Sequence, residues 1–159
     1  ETLSQAEELA KAARFGLGGR GYAGSTRWAG YATKKMPDLL AQSQDETVVI
    51  AQIEEPAAVE IADSIARIEG IDGLFAGPAD LSVGMGYKNQ DSNELKAALK
   101  KVGVAAKENG KGYASFIGDA DQAKSWAEDY GVNMFFVGSE HSFMRNKANE
   151  ISLRVKEIS

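Results

Sequence analysis

Cysteine is absent from this sequence, histidine occurs once, as His141, and proline occurs three times in 159 residues. The first absence excludes disulfides, thiolate zinc sites and a cysteine nucleophile. Any metal must then be held by oxygen ligands or by that one imidazole. No apolar run approaches the roughly 20 residues needed to span a bilayer, and the amino terminus shows no basic segment followed by an apolar stretch. No long Lys or Arg run is present either, and a net charge of -5 with a pI near 5.0 leaves no electrostatic footprint for nucleic acid or an anionic membrane surface. What is present is the balance of an ordinary globular protein, 43% hydrophobic and 26% charged, which argues against disorder. The expectation is a cytoplasmic protein whose partner is a small molecule, with neither nucleic acid nor membrane involved.

Periodicity supplies the fold class. Residues 4–14 read as a helix opened by a capping box, Ser4 with Glu7, and Gly16 lies just past its end. A Gly-rich loop follows, then a short helix after Pro37. The β-branched run 47–53 (TVVIAQI) does not alternate, which is the pattern of a strand buried on both faces in a parallel sheet. Pro56 suits a first helical turn, and Ala58, Ile61, Ala62, Ile65 and Ile68 recur on one helical face. The unit then repeats: strand 73–76 with a helix through Leu95, Ala98, Leu99, Val102 and Ala106; strand 112–117 with helix 119–130; strand 133–137 with helix 139–158. Such alternation predicts a parallel α/β sheet, open and doubly wound or part of a (β/α)8 barrel. No linker divides the chain, so residues 1–159 read as one domain. A whole barrel needs about 250 residues, so four (β/α) units preceded by one helix correspond to the second half of a TIM barrel.

In either architecture ligands bind at the carboxyl ends of the strands. Two carboxylates stand there: Glu54 directly after the first strand, and Asp80 in the GPADLS segment after the second. One strand-helix-strand step separates them, so they can sit on neighbouring strands and share one ion. A hard cation suits this pair, Mg²⁺ first and Mn²⁺ or Co²⁺ as alternatives, with water and substrate oxygens completing the shell. The plainer reading is that Glu54 and Glu55 favour a helix amino terminus and Asp80 caps its own loop.

GPADLS resembles the signature of the HpcH/HpaI aldolase family, metal-dependent 2-oxo-acid aldolases acting on dihydroxyheptenedioate- and dehydrodeoxyglucarate-like substrates. AQIEEPAAVE resembles that family's metal-bearing strand and helix, IDGLFAGPADLSVGMGY the next strand and loop, and GGRGYAGSTRWAGY its Gly/Arg loop. The resemblance covers nearly the whole chain. It implies a TIM barrel, Glu54 and Asp80 as metal ligands, Gln52 as a substrate contact, and the Ala79 backbone amide as a partner of the substrate carboxylate. It further implies pyruvate as the oxo acid, chelating the ion by a carboxylate oxygen and its keto oxygen, with an aldehyde as the second reactant. Gln52 has a structural alternative as an ordinary strand amide, and Ala79 has only its backbone to offer.

The chain departs from the family in one respect. Complete members carry a catalytic histidine base and an arginine in the first half of the barrel, and neither motif is present. His141, in GSEHSF, does not match that base and reads as a helix-start residue. Arg20 and Arg27 lie in a loop the family places near a subunit contact. A Schiff-base aldolase needs a lysine at a strand end, and Lys111 lies before its strand instead.

Other patterns fail on context. Gly16, Gly18 and Gly21 formally satisfy G-x-G-x-x-G, but a helix precedes them, and the loop lacks the Gly-Lys-Ser/Thr ending of a P-loop. Trp28, Trp126, Phe135, Phe136 and Phe143 read as core or interface residues in so acidic a chain. Gly118 and Gly138 end the last two strands, where barrels often bind phosphate, in loops that are not otherwise distinctive. The alternatives to an oxo-acid aldolase are a citryl- or malyl-CoA lyase-like enzyme, for which Arg-rich contacts are not evident, and a non-catalytic half-barrel interaction module. Four strands cannot close a barrel. The chain is therefore expected to form a homo-oligomer or to associate with an amino-terminal half, with helix 139–158 across the contact.

Overall fold

The computed structural model of the chain describes residues 2–16 and 18–158. Two helices, α1 (Leu3–Ala13) and α2 (Met36–Glu46), precede strand β1 (Ile50–Ile53). The helix pair α3 (Pro56–Glu60) and α4 (Ala62–Ala66) leads to β2 (Gly73–Ala76), and α5 (Pro78–Gly84) and α6 (Asn93–Glu108) lead to β3 (Gly112–Ile117). Helix α7 (Gln122–Tyr130), β4 (Met134–Val137) and α8 (Glu140–Lys156) complete the order. All strand pairs are parallel, and the sheet order is β1-β2-β3-β4. A doubly wound sheet reverses its strand order at a switch point, whereas a barrel adds every strand on the same side. The sequential order is that of barrel winding.

One face of the sheet carries the core. Ala51 and Ile53 of β1, Leu74 and Ala76 of β2, and Tyr113, Ser115 and Ile117 of β3 are buried, against Ile65 and Ala66 of α4 and Leu95, Leu99, Val102 and Ala106 of α6. Full burial of each of Leu95, Leu99 and Val102 contributes about 1.5–3 kcal/mol. The Tyr113 hydroxyl, closed into this layer, donates to the Leu99 carbonyl at 2.9 Å. Burial pushes its titration far above the usual tyrosine range, with the neighbouring Tyr130 adding to the shift. The opposite face carries Gln52, Phe75, Ala114, Phe116, Met134 and Phe136 in paired register.

Below the sheet a single carboxylate ties four segments together. Asp72 accepts the Val49 N–H at 2.7 Å and an Arg14 Nη2 proton at 2.9 Å, both on Oδ2, while its own N–H donates to the Val49 carbonyl at 2.8 Å. Arg14 also donates from Nη1 to the Gln44 carbonyl at 3.0 Å, so the end of α1 is bound to the end of α2 and to the starts of β1 and β2.

Several boundaries differ from the sequence expectation. The capping box of α1 is Thr2 with Gln5 rather than Ser4 with Glu7, because the chain enters the helix two residues earlier. The first strand begins at Ile50 rather than residue 47. Thr47 is the C-cap of α2, with its N–H on the Ser43 carbonyl, and Val48 is exposed. The helix after Pro56 is broken at Ile61 (φ -108°, ψ 13°), although Ala58, Ala62 and Ile65 still bury one common face. GPADLS is not a loop: residues 78–84 form α5, with proline in the first turn. Helix α8 has the expected extent and a Ser139 capping box, yet none of its residues is buried. Among the described residues no helix is long and apolar enough to cross a membrane.

Gly103 lies inside α6, where alanine ordinarily stabilises by roughly 0.8–1 kcal/mol. A Cβ there would fall inside contact distance of the Tyr130 carbonyl oxygen, at the end of α7, and 3.0 Å from Tyr113 Cε1. Overpacking of this kind costs about 1–3 kcal/mol and reverses the sign. Gly103→Ala is therefore expected to lower the thermal midpoint, by roughly 2–4 °C per kcal/mol in a chain of this size. Thermal unfolding followed by circular dichroism tests this, and a raised midpoint would contradict the close approach of α6 and α7.

Candidate functional site

The carboxyl ends of β1 and β2 bring three predicted side chains to one point. Gln52 stands on the open face of β1 in register with Phe75 of β2, and Glu54 is the first residue past the strand. Gln52 donates from Nε2 to Glu54 Oε2 at 2.7 Å, which fixes the direction of that carboxylate. Just past β2 the Gly77 N–H donates to the Ile53 carbonyl at 3.1 Å, and the chain turns at Gly77, the N-cap, into α5. Asp80 occupies the first turn of α5, and Ala79 precedes it.

Gly77 is the centre of this arrangement. A Cβ built on it would lie 3.3 Å from Glu54 Cβ, 3.4 Å from Asp80 Oδ2 and 3.7 Å from Gln52 Nε2. Three polar side chains thus surround a position without a side chain of its own, and Glu54, Ala79 and Asp80 are exposed. The Ala79 N–H belongs to the first turn, where amides have no intrahelical acceptor, and the N-cap is a glycine that offers no side chain.

Among the described residues no group of three or more His, Cys, Asp or Glu side chains is placed to hold a metal ion together. Two carboxylates with a neighbouring amide remain, which is the donor set of a cation that keeps much of its shell for water and substrate. The residues present therefore fit a hard divalent cation and do not fit a closed structural zinc site. The surrounding charge agrees in sign. Residues 50–56, 73–85, 112–121 and 134–142, which run through the strand ends and the turns after them, contain no Lys or Arg and contribute Glu54, Glu55, Asp80, Asp119, Asp121 and Glu140.

Other residues singled out in the sequence lie elsewhere or act locally. His141 is exposed in the first turn of α8, its Nδ1 3.3 Å from Glu140 Oε1. Arg20 lies over the Phe15 ring, 4.7 Å from its centroid, in a cluster with Tyr22 and Trp28 away from the strand ends. Asp119 Oδ1 accepts the N–H groups of Asp121 and Gln122 and serves the start of α7. Trp126 and Phe135 pack against the core, whereas Phe136 and Phe143 are exposed.

Two features went unread in the sequence. Gly77 carried a signal in its Gly-Pro dipeptide, but only the structure shows that the glycine makes room for three polar side chains. Phe116 and Phe136 carry the period-2 placement of an open sheet face, with their neighbours Ala114 and Met134 two residues earlier. Phe75 and Phe136 meet edge to face, with ring centroids 5.3 Å apart and planes at 72°.

The sequence profile of the HpcH/HpaI aldolase/citrate lyase family matches residues 1–146. The hydroxypyruvate/pyruvate aldolase of Delftia acidovorans is 35% identical over 155 residues, which cover 93% of this chain and 55% of that protein. The 4-hydroxy-2-oxo-heptane-1,7-dioate aldolase of Escherichia coli is 32% identical over 160 aligned positions, covering 97% of this chain and 59% of that protein. The crystal structure of an HpcH/HpaI aldolase/citrate lyase family protein from Burkholderia cenocepacia superposes with a TM-score of 0.88 at 27% identity, covering 98% of this chain and 62% of that one. This chain spans between half and two thirds of the length of each of these relatives. With the barrel-type strand order and the profile match over most of its length, the chain belongs to the HpcH/HpaI aldolase/citrate lyase family.

Proposed function

We propose that this chain supplies the metal- and oxo-acid-binding part of a divalent-metal-dependent aldolase that makes or cleaves 4-hydroxy-2-oxo acids. The observation that carries the reading is the convergence of Gln52, Glu54 and Asp80 around Gly77, in a family whose named relatives are aldolases of oxo acids. Glu54 and Asp80 would hold the cation, Mg²⁺ first, with Mn²⁺ or Co²⁺ able to use the same oxygens. When bound, such a cation supplies Lewis acidity for the negative charge that develops on the keto oxygen during carbon-carbon bond cleavage or formation. Gln52 holds Glu54 in place and stands within reach of the substrate. The Ala79 N–H, beside Asp80, offers a donor to the carboxylate of pyruvate. The chain supplies no matched base, so proton transfer is assigned to the part of the barrel that it does not contain. The CoA-thioester alternative gains nothing from these observations, since both named relatives are aldolases.

The assembly follows from what the fold leaves open. Met144 and Ile151 of α8 and, just beyond its end, Ile158 are exposed at seven-residue spacing, which keeps them on one face. The chain is expected to bury this face as a homo-oligomer or against an amino-terminal half of the barrel.

Two outcomes test this function. Glu54→Ala and Asp80→Ala are each expected to weaken Mg²⁺ or Mn²⁺ binding more than about 100-fold, and Gln52→Ala about 10–100-fold, the range found when the hydrogen-bond partner of a ligand is removed. Gly77→Val should also weaken binding, because its side chain enters the space the three groups enclose. Isothermal titration of each variant, with circular dichroism to show an intact fold, measures this; unchanged affinity in both carboxylate variants refutes the site. For the assembly, sedimentation equilibrium at low micromolar concentration should show a species larger than the monomer, and Met144→Lys with Ile151→Lys should reduce it. A compact monomer that binds no hydrophobic dye would refute the assembly.

A further inference from the structure

The peptide link between Ala76 and Gly77 is held from both sides. Its N–H donates to the Ile53 carbonyl of β1 at 3.1 Å. Its carbonyl accepts the hydroxyl of Ser115, on β3, at 3.0 Å. Ser115 lies opposite Ala76 in the ladder and is fully buried on the helix-facing side of the sheet.

This peptide is the root of the candidate site. Gly77 follows it directly, and a Cβ on Gly77 would lie 3.3 Å from Glu54 Cβ and 3.4 Å from Asp80 Oδ2. The start of α5 lacks two common local anchors: Gly77, its N-cap, has no side chain to accept a first-turn amide, and Pro78 has no N–H to donate. The Gly77 carbonyl accepts the Leu81 N–H at 3.0 Å, which closes the first turn around Ala79 and Asp80. Buried Pro78 and Leu81 seat α5 on the core, but apolar contact is non-directional. Ser82, bonded to the Asn89 carbonyl, ties down the far end of the helix. At the near end, direction comes from the two hydrogen bonds that fix the plane of the 76–77 peptide. That plane sets how α5 leaves the sheet, and with it where Asp80 and the Ala79 N–H stand relative to Glu54.

We infer that Ser115 is a positioning residue for the cation site: through the Ala76 carbonyl it holds the Gly77 turn, and so the placement of Asp80 beside Glu54, without touching cation or substrate. The inference rests on the aldolase reading of the carboxylate pair and adds to it a residue from a third strand.

Isothermal titration of the full chain with Mg²⁺, with circular dichroism to show an intact fold, is the test. Ser115→Ala, which adds no bulk, is expected to bind Mg²⁺ about 3–10-fold more weakly than the unaltered chain, less than the about 10–100-fold loss for a group bonded directly to a ligand. Thr and Val have nearly the same volume and differ in the hydroxyl, so Ser115→Thr should bind more tightly than Ser115→Val, whatever a larger side chain costs the core. Tyr113→Phe removes the other buried hydroxyl of this layer, whose acceptor is the Leu99 carbonyl of α6. It is expected to lower the thermal midpoint and leave Mg²⁺ affinity unchanged. In metal-free protein, hydrogen exchange at the Gly77 amide should be faster in Ser115→Ala than in the unaltered chain. Mg²⁺ affinity that is unchanged in Ser115→Ala, or equal in the Thr and Val variants, overturns this inference alone. So does a loss of affinity in Tyr113→Phe as large as that in Ser115→Ala, which would make the effect one of general stability. If the unaltered chain does not bind Mg²⁺, the aldolase reading fails and this inference fails with it.

Discussion

Asp72 carries a load out of proportion to its place below the sheet. Its carboxylate takes the Val49 N–H and its amide gives to the Val49 carbonyl, so one residue closes the ladder at the amino ends of β1 and β2 and sets Ile50 opposite Gly73. In a strand the side chains alternate with period two, and a slip of one residue would turn every one of them to the other face. With this register Ile53 lies opposite Ala76, and Glu54 comes beside Gly77. With any odd slip, Gln52 would enter the helix-facing core and Ile53 would face open space. Arg14 supports the carboxylate from behind and is itself held by the Gln44 carbonyl, so the position of Glu54 depends on contacts at the opposite end of the strand.

Period two also explains why polar and aromatic chemistry share one layer. Helix-facing positions are filled by Ala, Ile, Leu and the hydroxyls of Tyr113 and Ser115, each of which finds a backbone acceptor: Leu99 for the first and Ala76 for the second, at 3.0 Å. A polar group buried without a partner would cost about 1–3 kcal/mol, so the core admits only residues that can be satisfied there. The charged groups gather at the ends of the strands, and the exposed Gln52 and the phenylalanines gather on the open face.

How much of this was legible in the sequence depends on how local the signal was. The strands ending at Ile53, Ala76, Ile117 and Val137 and the buried face of α6 could be read because apolar spacing survives in any tertiary context. The order of strands could not be read, because periodicity says nothing about which strand lies beside which; the absence of a reversal in β1-β2-β3-β4 separates barrel winding from a doubly wound sheet. The start of β1 differs from the sequence expectation because Thr47 and Val48 have strand propensity, while the competing demand, an acceptor for the Thr47 N–H at the end of α2, comes from the neighbouring helix. Similarly, the apolar pattern through Ile61 is continuous although the backbone is not, since the short helices on either side present the same face. At the site, Glu54 and Asp80 were legible as acids at strand ends. Gly77 was not, because a residue whose contribution is the absence of a side chain is recognised only by what surrounds it.

Two apolar surfaces remain uncovered in the described residues, and they differ in kind. The stripe on α8 lies on a helix that contributes nothing to the buried core, so whatever covers it need not complete the sheet. The open sheet face is different. Sequential winding leaves β1 and β4 as edges, and a barrel removes both edges and the open face in one step. Barrel interiors are filled in layers drawn from alternate positions of the strands. Here Ile50, Gly73 and Gly112 occupy the lowest row, where Met134 reaches across to within 3.2 Å of a Cβ built on Gly73. That row is narrow, since two of its three members are glycines, and a methionine on the adjacent strand already fills much of the space. The row above it brings Gln52 and Phe75 together, and the uppermost brings Glu54, Gly77, Phe116 and Phe136. At the base of the open face, then, the glycine backbone leaves room that Met134 fills, while at the upper end Glu54 and Asp80 stay exposed and the register that places Glu54 beside Gly77 is held from below.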